Sequence, residues 1–357
     1  MRLNLATLAF LVAIASNHAR AYPDEVWQNF ETGTQVSLRG LAAVNEAVAW
    51  ACGSKATIVQ TVDGGKNWLR HTIPNLDDVE IRSIHAWDSD KAIVATAGQP
   101  ALILKTIDRG ATWKITHENK SPQAFFDGMK FHKDRSGFAF SDPVDGSLLI
   151  VKTNDGGDSW QTVEPSAIPR MDSGEAGFAA SNSSLHTFGG QLAWIGLGGG
   201  SDGPSRIFRT RDGGAKWSSH TVPPIARGTS SGIFAIAFED EHKGIAVGGD
   251  YNKLNVDKDN VAITTDGGLT WRAPLISRPR GFRSSIIPLP ASSKNGTRIW
   301  LTSGPSGCDW STDGQKWSGL SDVGFHVLGV AIDGTVWSAG SNGRVSRLIA
   351  SSLPISQ

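Results

Sequence analysis

Six times along this chain an aspartate opens a glycine-containing turn and a tryptophan follows four or five residues later. The pairs are Asp63 with Trp68, Asp108 with Trp113, Asp155 with Trp160, Asp212 with Trp217, Asp266 with Trp271 and Asp313 with Trp317. Successive aspartates stand 45 to 57 residues apart. A unit of that length cannot bury its own apolar face, so regular repetition demands neighbours that stack on it, as in a propeller or a solenoid.

One unit, residues 38–72, reads as four short strands. Leu38–Val44 and Ala47–Cys52 are joined by a turn at Asn45-Glu46; Ile58–Thr61 follows, and the Asp63 turn leads into Trp68–Thr72. A four-stranded antiparallel meander of this kind is a propeller blade. The aspartate carboxylate is placed to accept backbone N–H groups of its own turn, glycine supplies positive φ, and the tryptophan lays a large apolar ring over adjoining strands. Recurrence in every unit makes these twelve Asp and Trp residues architectural rather than catalytic.

A seventh unit lacks the motif. Trp337–Val345 aligns with Trp50–Ile58, and Phe325–Val330 supplies an inner strand, but the chain ends before an outer one. Val26–Phe30 precedes the first unit with no other place to go; pairing it with the last unit closes the ring and protects both edges. The expected fold is an all-β, seven-bladed propeller of four-stranded antiparallel blades, about 48 residues each, in one domain over residues 22–357.

Residues 1–21 carry Arg2, an apolar run from Leu3 to Ala15 and a small-x-small site, Ala19-Arg20-Ala21. That is the layout of a secretory signal, too short to anchor in a bilayer, so an exported chain without a transmembrane segment is expected. Lys plus Arg and Asp plus Glu both number 34, which argues against electrostatic capture of nucleic acid. Cys52 and Cys308 belong to the first and sixth units, second neighbours around a seven-membered ring, so two free buried thiols are expected rather than a bridge.

The turns resemble the Asp-box, or bacterial neuraminidase repeat, found in sialidases, sortilin-type receptors, some xyloglucanases and photosystem II assembly factors. The export signal, the seven short units and Thr-x-Asp-Gly-Gly-x-x-Trp turns across nearly the whole mature chain are most similar to the assembly-factor-like group, as are Ser141–Gly146 and Gly248–Tyr251. The resemblance implies a non-catalytic scaffold that binds a protein partner outside the cytoplasm: in the periplasm or extracellular space, or in the thylakoid lumen of a photosynthetic organism. Fold alone does not fix function.

The enzyme readings find little in the residues. A sialidase-like site needs an arginine triad and a Tyr nucleophile, and Tyr251 is the one tyrosine away from the new N-terminus at Tyr22. Arg206-Ile207-Phe208 only superficially matches the sialidase Arg-Ile-Pro phrase. A paired-carboxylate glycosidase draws on Asp142, Asp145, Glu175, Asp250, Asp257 or Asp259, and their separation in space decides it. A glycoside hydrolase is thus the enzyme alternative. Oxidoreductase chemistry has neither a dinucleotide fingerprint nor a Cys-x-x-Cys pair, and no cofactor is expected. Asp257–Asn260 lacks a full calcium ligand series and reads as a solvated turn, so no metal is expected.

In a propeller the inner strands line a central channel and their starts reach one face. Aligning the starts places Arg39, Arg82, Asp127, Glu175, Ser231, Arg283 and His326 around a rim, with Arg278 and Arg280 beside it and Arg170 and Arg227 extending a basic arc. Arginine forks suit carboxylates and backbone carbonyls, so this rim is the candidate protein-binding face; solvated or mutually paired loop residues are the competing reading. In the carbohydrate-binding alternative, Tyr251, Trp87, Trp194 and Trp300 face a sugar, although strand positions like that of Trp50 explain Trp87 and Trp300 equally as core.

Overall fold

The computed structural model describes residues 26–290 and 298–353; the expected leader, residues 1–21, lies outside them. Seven antiparallel sheets stand around an axis. Blade 1 is Leu38–Ala43, Ala49–Gly53, Ile58–Thr61 and Leu69–His71, close to the expected bounds. Blade 2 runs from Ile81–Ala86 to Lys114–Asn119 and blade 3 from Phe126–Phe131 to Gln161–Thr162. Blade 6 runs from Ser285–Pro288 to Ser318–Ser321.

In blade 7, Val327–Val330, Val336–Ala339 and Val345–Leu348 take Trp27–Phe30 as their outer strand, with Trp27 opposite Leu348 and Phe30 opposite Val345. The ring therefore closes through its N-terminal segment, as the leftover Val26–Phe30 run requires.

The middle strands are buried on both faces because each blade is sandwiched between two others. Ala49–Gly53 and Ala92–Thr96 are buried at every residue and accordingly read as apolar runs rather than alternating ones. The core is a set of inter-blade layers: Trp50 and Ile58 pack with Ile81, Val94 and Leu104 of the next blade, and Leu38, Ala51 and Val59 pack with Val327, Trp337 and Val345 across the closure.

The repeated turns act as pins between blades. Asp63 Oδ1 accepts the Asn67 N–H at 2.9 Å and the Thr61 hydroxyl at 2.9 Å, while Thr61 Oγ1 accepts the Gly65 N–H at 2.9 Å. The same three-way bracket recurs at Thr106–Asp108, Thr153–Asp155, Thr210–Asp212 and Thr264–Asp266. Ser311 replaces threonine at Asp313. The second glycine has a packing reason as well as a positive φ: a Cβ on Gly65 lies 2.6 Å from the Phe30 ring, and one on Gly110 lies 2.6 Å from His71 of the preceding blade. The tryptophans lean the same way, Trp68 onto Trp337 and Trp217 onto Phe138.

Two departures arise in the longest inter-motif interval. The inner strand of blade 4 is Leu185–Phe188, not a strand starting at Glu175; its partners are Leu192–Gly196, Gly203–Thr210 and Trp217–Arg227. Glu175–Ala176 instead pairs with Gly198–Gly199, which joins the inner strand of blade 5, Ser231–Phe238. Blade 5 continues through Gly244–Asp250 and Val261–Thr264, with a single bridge from Ile263 to Arg272 in place of an outer strand. Cys52 and Cys308 are free and buried.

Candidate partner-binding site at the channel mouth

Four inner strands carry a β-bulge at an equivalent point: between Leu38 and Gly40, Ile81 and Ser83, Phe126 and Gly128, and Ile233 and Ala235. A bulge takes one residue out of the ladder and re-aims its side chain. The residues taken out are Arg39, Arg82, Asp127 and Phe234, and all four line one cavity of about 550 Å³ at the channel mouth. Ser284 and His326 complete its wall from blades 6 and 7.

Three expected rim residues are corrected. Arg283 is wholly buried: its Nε lies 2.8 Å from Asp309 Oδ2 and its Nη2 donates to the same oxygen, so Ser284, one residue on, faces the mouth. A one-residue slip in a strand moves a side chain to the other face, and the Arg283 alignment was off by that one residue. Glu175 is buried beneath two guanidinium groups, those of Arg206 and Arg227, and Asp172 accepts from Arg227 at 2.6 Å and pairs with Arg206 at 3.6 Å. Ser231 lies three residues before Phe234, the blade 5 residue that enters the mouth. The basic arc is largely neutralised: Arg227 is held in the Glu175 cluster, and Arg280 pairs with Asp309 and Asp322 at 2.7 Å each. Arg170 and Arg278 stay exposed outside the cavity wall.

The segment Ala176–Ala180 arches into the mouth. Asp142 Oδ1 accepts the Gly177 N–H at 3.1 Å, Arg82 donates to the Ala179 carbonyl at 3.3 Å, and Arg39 donates to the Ala180 carbonyl at 3.4 Å. Phe178 stacks on Phe234 at 4.0 Å, and Tyr251 meets both rings edge-on at 6.3 and 6.1 Å. Phe234 also meets Phe282 at 4.7 Å, so aromatic faces floor one side of the mouth while guanidinium groups hold the other.

The electrostatics favour an incoming acceptor. Burial and the neighbouring Asp142 carboxylate push Asp127 well above the usual carboxylate range, and burial raises Asp142 too, so both shifts favour a neutral Asp127. Burial, then the charges of Arg39, Arg82 and Arg344, drive His326 down to about 3, leaving a neutral imidazole whose Nε2 lies 3.0 Å from the Ser341 hydroxyl. The two arginines are therefore opposed by fewer negative charges than the residue count implies.

Phe178, Phe234 and Phe282 were not identified from the sequence as mouth residues; Phe234 sits at a bulge, and Phe178 and Phe282 lie outside the inner strands. Of the aromatic residues considered for a sugar, Tyr251 lines the mouth, whereas Trp194 and Trp300 are buried in inter-blade cores and Trp87 packs between blades 2 and 3. Among the described residues no group of three or more His, Cys, Asp or Glu side chains is arranged to hold a metal ion, and no helix is long and apolar enough to cross a membrane.

Ring, turns and mouth together define an Asp-box propeller with a polar and aromatic axial site. Residues 19–127 match the family model described as photosynthesis system II assembly factor YCF48. The chain is 26% identical over 320 residues to the photosystem II assembly protein Ycf48 of Synechococcus sp. strain JA-2-3B'a(2-13), covering 87% of this chain and 83% of that one. A shorter match, 26% over 136 residues, links it to the photosystem II assembly lipoprotein Ycf48 of Synechococcus sp. strain CC9902, spanning 38% of this chain and 39% of that relative. A solved structure of YCF48 bound to a D1 peptide superposes with a TM-score of 0.62 at 18% identity, over 92% of this chain and 99% of that one. The chain is a seven-bladed Asp-box propeller similar to the Ycf48 photosystem II assembly factors.

Proposed function

We propose that this protein is a non-catalytic, exported scaffold that binds an extended segment of a protein partner at the bulge-built mouth of its channel. The observation that carries this reading is intramolecular: Arg39 and Arg82 already grip two consecutive backbone carbonyls, those of Ala180 and Ala179, beside an aromatic floor. Groups that hold main chain in one strand of peptide suit a second strand or a terminal carboxylate equally well. The similar YCF48 structure holds a D1 peptide, and a peptide is the ligand class assigned here. Residues 1–21 serve as a removable leader and residues 22–357 as the working domain. Its location is periplasmic or extracellular, or the thylakoid lumen where the organism is photosynthetic.

The test is fluorescence anisotropy with a labelled D1-derived peptide, alongside crosslinking in the native envelope, comparing the wild type with Arg39→Glu/Arg82→Glu. Charged hydrogen bonds are worth about 1.5–3 kcal/mol each, so affinity should fall by about tenfold or more per arginine. Circular dichroism checks that the double variant is folded. Equal affinity in a folded double variant sinks the assignment, as does hydrolysis of a chromogenic glycoside that depends on Tyr251.

A further inference from the structure

The channel has a second chamber at its opposite end. The C-terminal ends of the inner strands enclose a cavity of about 360 Å³, within the range of small-ligand sites. Its walls are mostly aliphatic, and Ala43, Ala86, Thr187, Pro288 and Val330 are partly exposed where it opens. No carboxylate lines it; the ionisable groups on its wall are Lys130, His85 and His186.

Lys130 is the anomaly. It lines the chamber as a partly exposed residue and makes no hydrogen bond or ion pair among the described residues. Lys105 shows how the same molecule treats an enclosed lysine: its Nζ sits 2.6 Å from Asp158. Desolvation lowers Lys130 to about 8, so it remains largely charged at neutral pH, and no carboxylate on the chamber wall offsets that charge. Desolvation, and then the Lys130 charge, bring both His85 and His186 to about 3, placing two neutral imidazoles within reach of its field. His186 Nε2 accepts the Phe238 N–H at 3.3 Å, so its proton resides on Nδ1, for which no acceptor is found among the described residues. His85 packs against Trp87 and Phe131 at 4.7 and 4.9 Å. Packing and a backbone bond account for the histidines, whereas the lysine has no protein partner among the described residues.

We propose that this chamber binds a small carboxylate with a short aliphatic tail, its head group on Lys130 Nζ beside the imidazoles and its tail against Leu41, Ile84, Ile236, Ile286 and Leu328. One unpaired cation in an aliphatic cage suits a monoanion with an apolar body. A phosphate, with two charges and more oxygens to satisfy, is left short of donors. The site is independent of the partner reading, since it lies at the other end of the channel and shares none of the mouth's arginines.

Octanoate is the probe, titrated calorimetrically into the full mature chain, with octan-1-ol as the uncharged control. Saturable binding of one octanoate is expected, with at least tenfold weaker binding to Lys130→Met and to octan-1-ol. Lys130→Met keeps the volume and removes the charge, so its melting temperature should hold or rise. Ala43→Trp, at the chamber's opening, should abolish binding without touching the lysine. The proposal is overturned if the wild type shows no saturable binding, if octan-1-ol binds as tightly as octanoate, if Lys130→Met retains full affinity, or if binding survives Ala43→Trp.

Discussion

Replacing Trp27 with alanine tests whether the N-terminal strand is a working part of the ring. Trp27 is 7% exposed and lies 4.7 Å from the Phe325 ring in a cluster with Leu328, Val336 and Leu348. A buried tryptophan covers roughly 150–250 Å² of surface, or about 4–6 kcal/mol at about 25 cal/mol per Å². Measured aromatic truncations give about 3–5 kcal/mol, in agreement. With an unfolding entropy of about 2.1 cal/mol/K per residue, a chain of this size changes by roughly 0.7 kcal/mol per degree, so the melting temperature should fall by about 4–7 °C. Calorimetry measures the shift, and hydrogen exchange should show Val345–Leu348, the strand paired with Trp27–Phe30, losing protection ahead of blades 2 and 3. Trp27 Nε1 has no hydrogen-bond acceptor among the described residues, so Trp27→Phe should cost far less. A melting shift below about 1 °C for Trp27→Ala, with protection of the last strand unchanged, would refute the closure argument.

Two further outcomes follow from the turns and the thiols. The hydroxyls and backbone N–H groups that bracket the motif aspartates stabilise their ionised form: the Asn67 N–H lowers Asp63, the Thr112 hydroxyl lowers Asp108, and at Asp266 the Thr270 and Thr264 hydroxyls outweigh the opposing effect of burial to give about 2. A carboxyl lowered in the folded state contributes stability above its unfolded pKa and loses it as pH falls through the folded one. Unfolding titrations should therefore show stability flat near neutrality and falling between about pH 4 and 2, and Asp266→Asn should flatten part of that fall; an unaltered acid profile in that variant refutes the assignment. Burial raises Cys52 strongly and Cys308 to about 12, so a thiol reagent at neutral pH should label neither residue in the native chain and both in denaturant; rapid native labelling would show that the inter-blade layers open.

The frame was legible because its pins are written in short local phrases, each complete within a few residues. Closure was legible for a different reason: Val26–Phe30 had no partner and the last unit had no outer strand. The mouth was legible only in part. Arg39, Arg82, Asp127 and His326 lie where strand starts place them, but a bulge skips one residue of the alternation and a strand alignment has no means of counting it. Ser231 stands three residues short of Phe234, and Arg283 one short of Ser284 ahead of the regular strand Ser285–Pro288, so the strand starts of blades 5 and 6 are misplaced rather than skipped. Glu175 failed because the longer interval between Asp155 and Asp212 leaves room for an additional segment ahead of the inner strand Leu185–Phe188. Its charge also drew attention as a free rim group, when Arg206 and Arg227 consume it.

The skipped residues of the inner strands have a consequence for how such a molecule changes over generations. Arg39, Arg82, Asp127 and Phe234 are exempt from the pairing that their neighbours must satisfy. A new side chain at any of these points alters what the opening greets without disturbing the hydrogen-bonded lattice behind it. The frame can thus stay fixed while its specificity drifts, one unpaired position in each of four blades, and relatives that share this architecture are free to differ in the company they keep.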